Sequence, residues 1–223
     1  AGMCYDKGNF TKGKNRQMLG RTHFFIGTAA ALAVLQPQTV PALVAGAGAA
    51  AIGGLISDID VGTSQAHRDA DKIITATVAV AEYKLNLGIY RRLTSDSSVL
   101  RLLAGTAAFL LICAYGKQQP HRSFMHSFAA LALLTACVDI IYPDVSAYFA
   151  VGFLSHLVLD FFNRKPEKLF WPWKKGFCLG LCSARGLVNR ALLGCGMVSL
   201  AVILVISAPA GRLMAKIMRA IYG

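Results

Sequence analysis

The sequence predicts an all-α, polytopic transmembrane helical bundle with six to seven membrane segments. Hydrophobic residues make up 55% of the chain against 15% charged, and the mean hydropathy is +0.51. The apolar residues come in blocks of helix length, and the Lys and Arg residues fall mostly between those blocks. A soluble reading does not fit this composition. The formal charge of +12 would suggest nucleic acid only if the bases formed a stripe on a soluble fold. Here they read as loops obeying the positive-inside rule, and no nucleic-acid partner is expected.

Residues 22–36, THFFIGTAAALAVLQ, and 39–57, TVPALVAGAGAAAIGGLIS, flank the breaker Pro37-Gln38 and predict a helical hairpin. Their Gly and Ala content lets membrane helices approach closely. Residues 61–72 are polar, and His67 within them reads as a solvated loop residue. Residues 73–90 are only moderately apolar because they contain Glu82 and Lys84. Each such charge at a helix centre costs about 2.5 to 3.5 kcal/mol, so this segment reads either as a packed crossing or as an interfacial helix. Residues 99–115, 123–142, 146–162 and 187–207 are clearer, with Tyr142-Pro143-Asp144 as a tight turn. Runs of about 16 to 21 residues are roughly 24 to 31 Å long as helices, enough for a hydrocarbon core of ~30 Å.

Orientation follows from the bases. With seven crossings and a cytoplasmic N-terminus, residues 1–22, 58–72, 117–122 and 163–186 place fifteen Lys and Arg inside, against five in 36–38, 91–98, 143–145 and 208–223 outside. The first 22 residues are polar and basic, and no cleavable signal peptide is expected. Met18 is a candidate natural start, which divides the chain into a polar basic extension (1–17), a membrane-embedded domain (18–207) and a short basic tail (208–223). Cys4, Cys113, Cys137, Cys178, Cys182 and Cys195 show no zinc-ribbon spacing, and Cys178 and Cys182 form C-x3-C rather than C-x2-C. All six read as non-catalytic. Trp171, Trp173, Lys174 and Lys175 in FWPWKK read as an interfacial anchor or as a lip that contacts lipid headgroups.

The ionisable residues of the apolar blocks form clusters. SHLVLDFF puts His156 and Asp160 four apart on one helical face, within reach of a shared cation, although a His hydrogen-bonded to an Asp is the ordinary structural alternative. GGLISDIDVG places Asp58 and Asp60 just past a glycine-rich helix end, where the macrodipole disfavours acids. A cation or partner explains that placement; a solvated terminus is the alternative. PHRSFMHS supplies His121, Arg122 and His126. Positions five apart on a regular helix lie about 140° around the axis, so both histidines reach one site only if His121 sits in a turn after Pro120. Arg122 offers a fork of donors suited to phosphate or carboxylate, with interfacial snorkelling as the alternative. In the seven-crossing arrangement His23, Asp58, Asp60, His121, His126, His156 and Asp160 all fall at cytoplasmic helix ends. These are ligand types of zinc or a similar divalent metal, and intramembrane ionisable groups are functional candidates.

The stretches THFFIG, LISDID, HRSFMHS, GFLSHLVLDFFN and LFWPW resemble, in the same order, the motifs of the YdjM-like family of inner-membrane metal-dependent hydrolases, over roughly residues 18–195. Thr22, Ser57, Ser123 and Met125 depart from the family's usual residues; none is an expected ligand. The family is in turn similar to zinc-dependent phospholipase C, which also uses several histidines and a His-x3-Asp helix. The resemblance implies a multi-pass protein of the bacterial inner membrane and a site for one to three divalent ions, zinc foremost. The expected ligands are His23, Asp58, Asp60, His121, His126, His156 and Asp160, with Asp58, Arg122 and His121 in catalytic roles. The expected reaction is cleavage of a phosphoester of a phospholipid or lipid-linked phosphate by metal-activated water at the cytoplasmic headgroup level. A metal or proton transporter using the same cluster is the alternative, and a structural scaffold a third.

Overall fold

The computed structural model describes residues 20–60, 96–181 and 186–222. The extension 1–17 with Cys4, Met18, the polar stretch 61–72 with His67, the segment 73–90 and Cys182 lie outside the described residues. Among those described, the protein is all-α with seven helices: α1 (Gly20–Leu35), α2 (Val40–Ile56), α3 (Asp96–Gln118), α4 (Phe128–Ile141), α5 (Pro143–Phe161), α6 (Leu187–Ile206) and α7 (Ala208–Tyr222). Two 3₁₀ turns, Ser57–Asp60 and Phe124–His126, follow α2 and precede α4. Among the described residues three stretches are long and apolar enough to cross a membrane: Val40–Ile59, Pro143–Phe161 and Leu187–Arg212.

Local chemistry sets the helix ends. The Thr39 hydroxyl accepts from the Ala42 N–H at 3.3 Å, with Pro41 in the first turn of α2. Pro143 opens α5 directly after Tyr142, so the expected three-residue turn narrows to a helix boundary. The segment expected from residue 123 becomes helical only at Phe128. The Ser127 hydroxyl caps α4 by accepting from the Ala130 N–H at 3.2 Å, which leaves His126 in the preceding 3₁₀ turn. The expected basic tail after residue 207 forms α7, whose Arg212 guanidinium donates to the Gln38 carbonyl.

α2 packs most extensively on α5, α1 lies against α2, α5 and α6, and α4 bridges α3 and α5. The core between them holds Leu32, Ala50, Met125, Leu134, Phe149, Phe153 and Leu157. The α2–α5 contact is closed by glycines: a Cβ at Gly53 would overlap the Phe149 carbonyl oxygen, and one at Gly152 the Ala50 carbonyl oxygen. By contrast, Leu103, Leu110 and Leu111 on α3 and Val198, Val202 and Val205 on α6 are exposed. An exposed apolar surface on helices of this kind belongs against lipid.

Residues after α5 fold back over one end of the bundle as an ordered loop. The Phe128 N–H donates to the Leu169 carbonyl at 2.9 Å, the Lys168 N–H to the Arg122 carbonyl at 3.1 Å, and the Leu179 N–H to the Phe161 carbonyl at 2.8 Å. Trp171 packs edge-on to Phe124 and Tyr115, whereas Trp173 is 70% exposed, so the two tryptophans that the sequence groups together play different parts.

Candidate metal centre

Four chain segments reach the same end of the bundle. His23 lies in the first turn of α1, Asp58 just beyond α2, His126 just before α4, and His156 and Asp160 in the last two turns of α5. All five side chains are buried. Antiparallel connectivity explains the meeting: α1 starts where α2 ends, and α4 starts where α5 ends.

His156 organises the centre. Its Nδ1–H donates to the Gly54 carbonyl at 2.8 Å, and because a carbonyl only accepts, this bond leaves the Nε2 lone pair facing inward. That nitrogen lies 3.3 Å from His126 Nε2 and 3.9 Å from Asp58 Oδ1, and the His23 ring stacks on His156 at 4.0 Å between centroids. Asp160 accepts from Arg122 Nη2 at 2.6 Å and from Asn163 Nδ2 at 3.3 Å, and lies 3.5 Å from His23 Nε2 and 3.7 Å from His126 Nε2. Two groups of three, His23–Asp58–His156 and His126–His156–Asp160, each bring one ligand atom per residue within 4.8 Å of the others. These are nitrogen and oxygen donors of the kind a divalent transition ion takes.

Charge balance points the same way. Arg122 neutralises Asp160, with its other terminal nitrogen on the Lys165 carbonyl at 2.5 Å. Asp58 is buried, and among the described residues His126 at 3.8 Å and His156 at 3.9 Å are its nearest cationic candidates. Ionised, it leaves one negative charge in a water-poor site, which a bound cation would balance. The buried His/Asp residues therefore fit a metal ion.

The remaining expected residues are placed less centrally. His121 lies in the turn after Pro120, as the spacing requires, with its half-buried ring 5.1 Å from that of His126; neither group of three includes it. Arg122 adopts a left-handed backbone conformation (φ 62°) that turns its carbonyl to Lys168 and its guanidinium to Asp160. Asp60 closes the 3₁₀ turn, and its side chain lies outside the described residues. Cys113, Cys137 and Cys195 are free thiols.

Glu167 is the residue the sequence does not single out. It sits among the bases of RKPEKLFWPWKK, where an acid reads as solvated, yet it is fully buried. Burial, followed by the charge of Asp160, pushes its carboxyl up to about 8. Its backbone pairs with Phe177 in both directions, at 2.9 and 2.8 Å, a long-range contact without a local sequence signal.

A family model described as YdjM inner membrane protein matches residues 18–221. The chain belongs to the YdjM inner membrane protein family. Comparison with curated proteins and with solved structures returned no match. The match takes in every element of the His/Asp centre, including the return loop and most of α7, and so extends beyond the motif-bearing stretch that ends at residue 195. Membership in the YdjM inner membrane protein family places the apolar helices in a bilayer, in line with the exposed faces of α3 and α6.

Proposed function

We propose that the protein is a membrane-embedded, metal-dependent hydrolase that cleaves a phosphoester of a phospholipid or lipid-linked phosphate. The observation that carries this reading is the convergence of His23, Asp58, His126, His156 and Asp160 from four segments into one buried centre. In this reading those five residues hold the ion, zinc before other divalent metals, with His121 and Asp60 at the margin. The bound ion would supply a Lewis acid that makes water a nucleophile at neutral pH and stabilises charge on the phosphate. Asp58, which among the described residues has no guanidinium partner like that of Asp160, takes the proton from the attacking water. Arg122 fixes Asp160 through a charge-assisted hydrogen bond and brings a positive charge to the anionic substrate. Partly exposed His121 stands at the mouth, where it meets the headgroup.

A recess lined by Trp173, Lys174, Lys175 and Phe177 on the return loop offers aromatic and cationic contacts to a lipid phosphate. A crossing count of seven with a cytoplasmic N-terminus is supported by α2 and α3 both ending beside the 3₁₀ turn that carries His126. Transport is the weaker reading. Among the described residues every buried His, Asp, Glu and Arg lies at the centre's end of the bundle, and toward the other face the buried titratable groups are Cys137 and Tyr148, which offer a cation or proton relay little.

Elemental analysis of detergent-purified protein tests the first step. Wild type is expected to hold stoichiometric divalent metal, and His126→Ala and Asp160→Ala to lose most of it. A metal-free wild type removes hydrolase and transporter readings together. With metal present, release of phosphate or phosphorylated headgroup from a phospholipid panel, abolished in His126→Ala, supports hydrolysis; metal without any release favours transport.

A further inference from the structure

Glu167 is completely buried, and among the described residues neither of its carboxyl oxygens has a hydrogen-bond partner. An ionised carboxylate in that state is among the most costly arrangements a protein can hold, so the group must be neutral or contact something else. Its position is fixed. The backbone pairing with Phe177 clamps the residue, and the adjacent Lys168 N–H is bonded to the Arg122 carbonyl. The carboxyl lies in the field of Asp160, His126, Arg122 and Asp58, which face it from α5, the turn before α4 and the turn after α2. Yet Glu167 joins neither group of three whose ligand atoms lie within 4.8 Å of one another. It stands beside the centre rather than in it.

Asp160 and Glu167 thus form an unequal pair. Asp160 has a guanidinium, an amide and a histidine around it, surroundings that suit an anion; among the described residues Glu167 has no donor. Two carboxyl groups whose surroundings favour opposite protonation states are the usual signature of an acid working beside a site that holds anions. The second face of the loop leads outward, because Phe177, the backbone partner of Glu167, lines the exposed recess with Trp173, Lys174 and Lys175.

We propose that Glu167 is the proton donor of this centre, a neutral carboxyl group that protonates the leaving oxygen as the phosphoester breaks. The proposal rests on the hydrolase reading above. The step balances as follows. The water oxygen forms a bond to phosphorus while the bond from phosphorus to the alkyl oxygen breaks, and its electron pair stays on that oxygen. The leaving oxygen takes the Glu167 proton and departs as an alcohol. Asp58 holds the proton lost by water, and Glu167 is reprotonated from Asp58 or solvent before the next turnover.

Infrared difference spectroscopy of wild type against Glu167→Gln reads the proton without any activity. At pH 7 the difference is expected to contain the carbonyl stretch of a protonated carboxyl group, and to keep it when Zn²⁺ is added. Absence of that band, or its loss on adding Zn²⁺, overturns the proposal; in the second case Glu167 is a ligand. Kinetics then separate donor from bystander. Against an alkyl phosphoester, whose leaving oxygen needs a proton, Glu167→Gln should be slower by about 10²- to 10⁴-fold, whereas a p-nitrophenyl ester should lose about tenfold or less. Equal losses on both esters also overturn it. If wild type carries the band but hydrolyses neither ester, the hydrolase reading fails and the donor role falls with it. A Glu167→Gln protein that melts like wild type shows that the losses are not misfolding.

Discussion

At Asp160, three neighbours do different things. Arg122 at 2.6 Å supplies the charge that makes burial tolerable, Asn163 at 3.3 Å supplies a neutral donor, and His23 at 3.5 Å shares the site's polar face. Removing one partner of a buried ion pair leaves the other uncompensated, which costs about 3–5 kcal/mol, whereas removing both costs less than the two losses together. Thermal unfolding in detergent with chelator present should therefore show Arg122→Ala and Asp160→Asn each strongly destabilised, and the double variant much less than additive. Additive losses would mean that the pair is not coupled. Glu167 behaves in the opposite sense. Its carboxyl is raised from an ordinary 4.5 to about 8, so between those values the folded state binds more protons than the unfolded chain. Stability contributed by the neutral form is complete below the lower value, falls as pH rises through the interval, and levels off above the upper one. Relative to Glu167→Gln, metal-free wild type should lose melting temperature from about pH 5 to pH 8, and parallel curves would refute the shift. The contrast also shows what single residues disclose. His156 and Asp160 announce themselves by spacing, and His121 by the proline before it. Glu167 does not, because its burial depends on pairing with Phe177 across a loop that has no periodicity to read.

At the scale of elements, the centre depends on how closely α2 approaches α5. Asp58 follows α2, the Gly54 carbonyl on α2 fixes the His156 tautomer, and the glycines of this interface meet backbone rather than flexible side chains. A methyl group at Gly152 must push α2 away, and overpacking of this kind costs about 1–3 kcal/mol. Gly152→Ala should therefore lower stability and also weaken metal retention measured by chelator competition, although it touches no ligand. Retention equal to wild type would show that the helices adjust without moving Asp58 or His156. The helices themselves were legible: hydrophobic blocks at 22–36, 39–57, 99–115, 146–162 and 187–207 lie within a few residues of α1, α2, α3, α5 and α6. The start of α4 was not. Apolar content continues backward through Phe124 and Met125, but the Ser127 cap ends the helix before it reaches them, and this exception lets His126 turn inward. Hydropathy registers burial, and it cannot distinguish a helical turn from a buried 3₁₀ turn.

For the whole molecule, the two ends of the bundle have different chemistry. One carries the buried His/Asp centre, the return loop and its recess with Lys174 and Lys175; the other carries the α1–α2 connection around Gln38, the α4–α5 boundary at Tyr142, and α7 tethered by Arg212. Among the described residues, Arg164, Lys165, Lys168, Lys174 and Lys175 follow α5 at the first end, while the connection at 36–38 carries no base. In the proposed orientation, which follows the positive-inside rule, the centre faces the cytoplasm. Alkyl substrates held in the inner leaflet would present their phosphates at that level, so the orientation decides which lipids can reach the site. Cysteines introduced at Lys174 and at Gln38 separate the faces, each compared with the parent protein to allow for its own thiols. In intact cells whose outer membrane has been made permeable, a membrane-impermeant maleimide should label Gln38→Cys and spare Lys174→Cys; inverted membrane vesicles should reverse the pattern. The opposite result would place the centre on the outer face and require a substrate of the outer leaflet. Labelling of both from one side would mean that the Gln38 connection and the return loop share a face, and the antiparallel arrangement that gathers four segments into one centre would have to be abandoned.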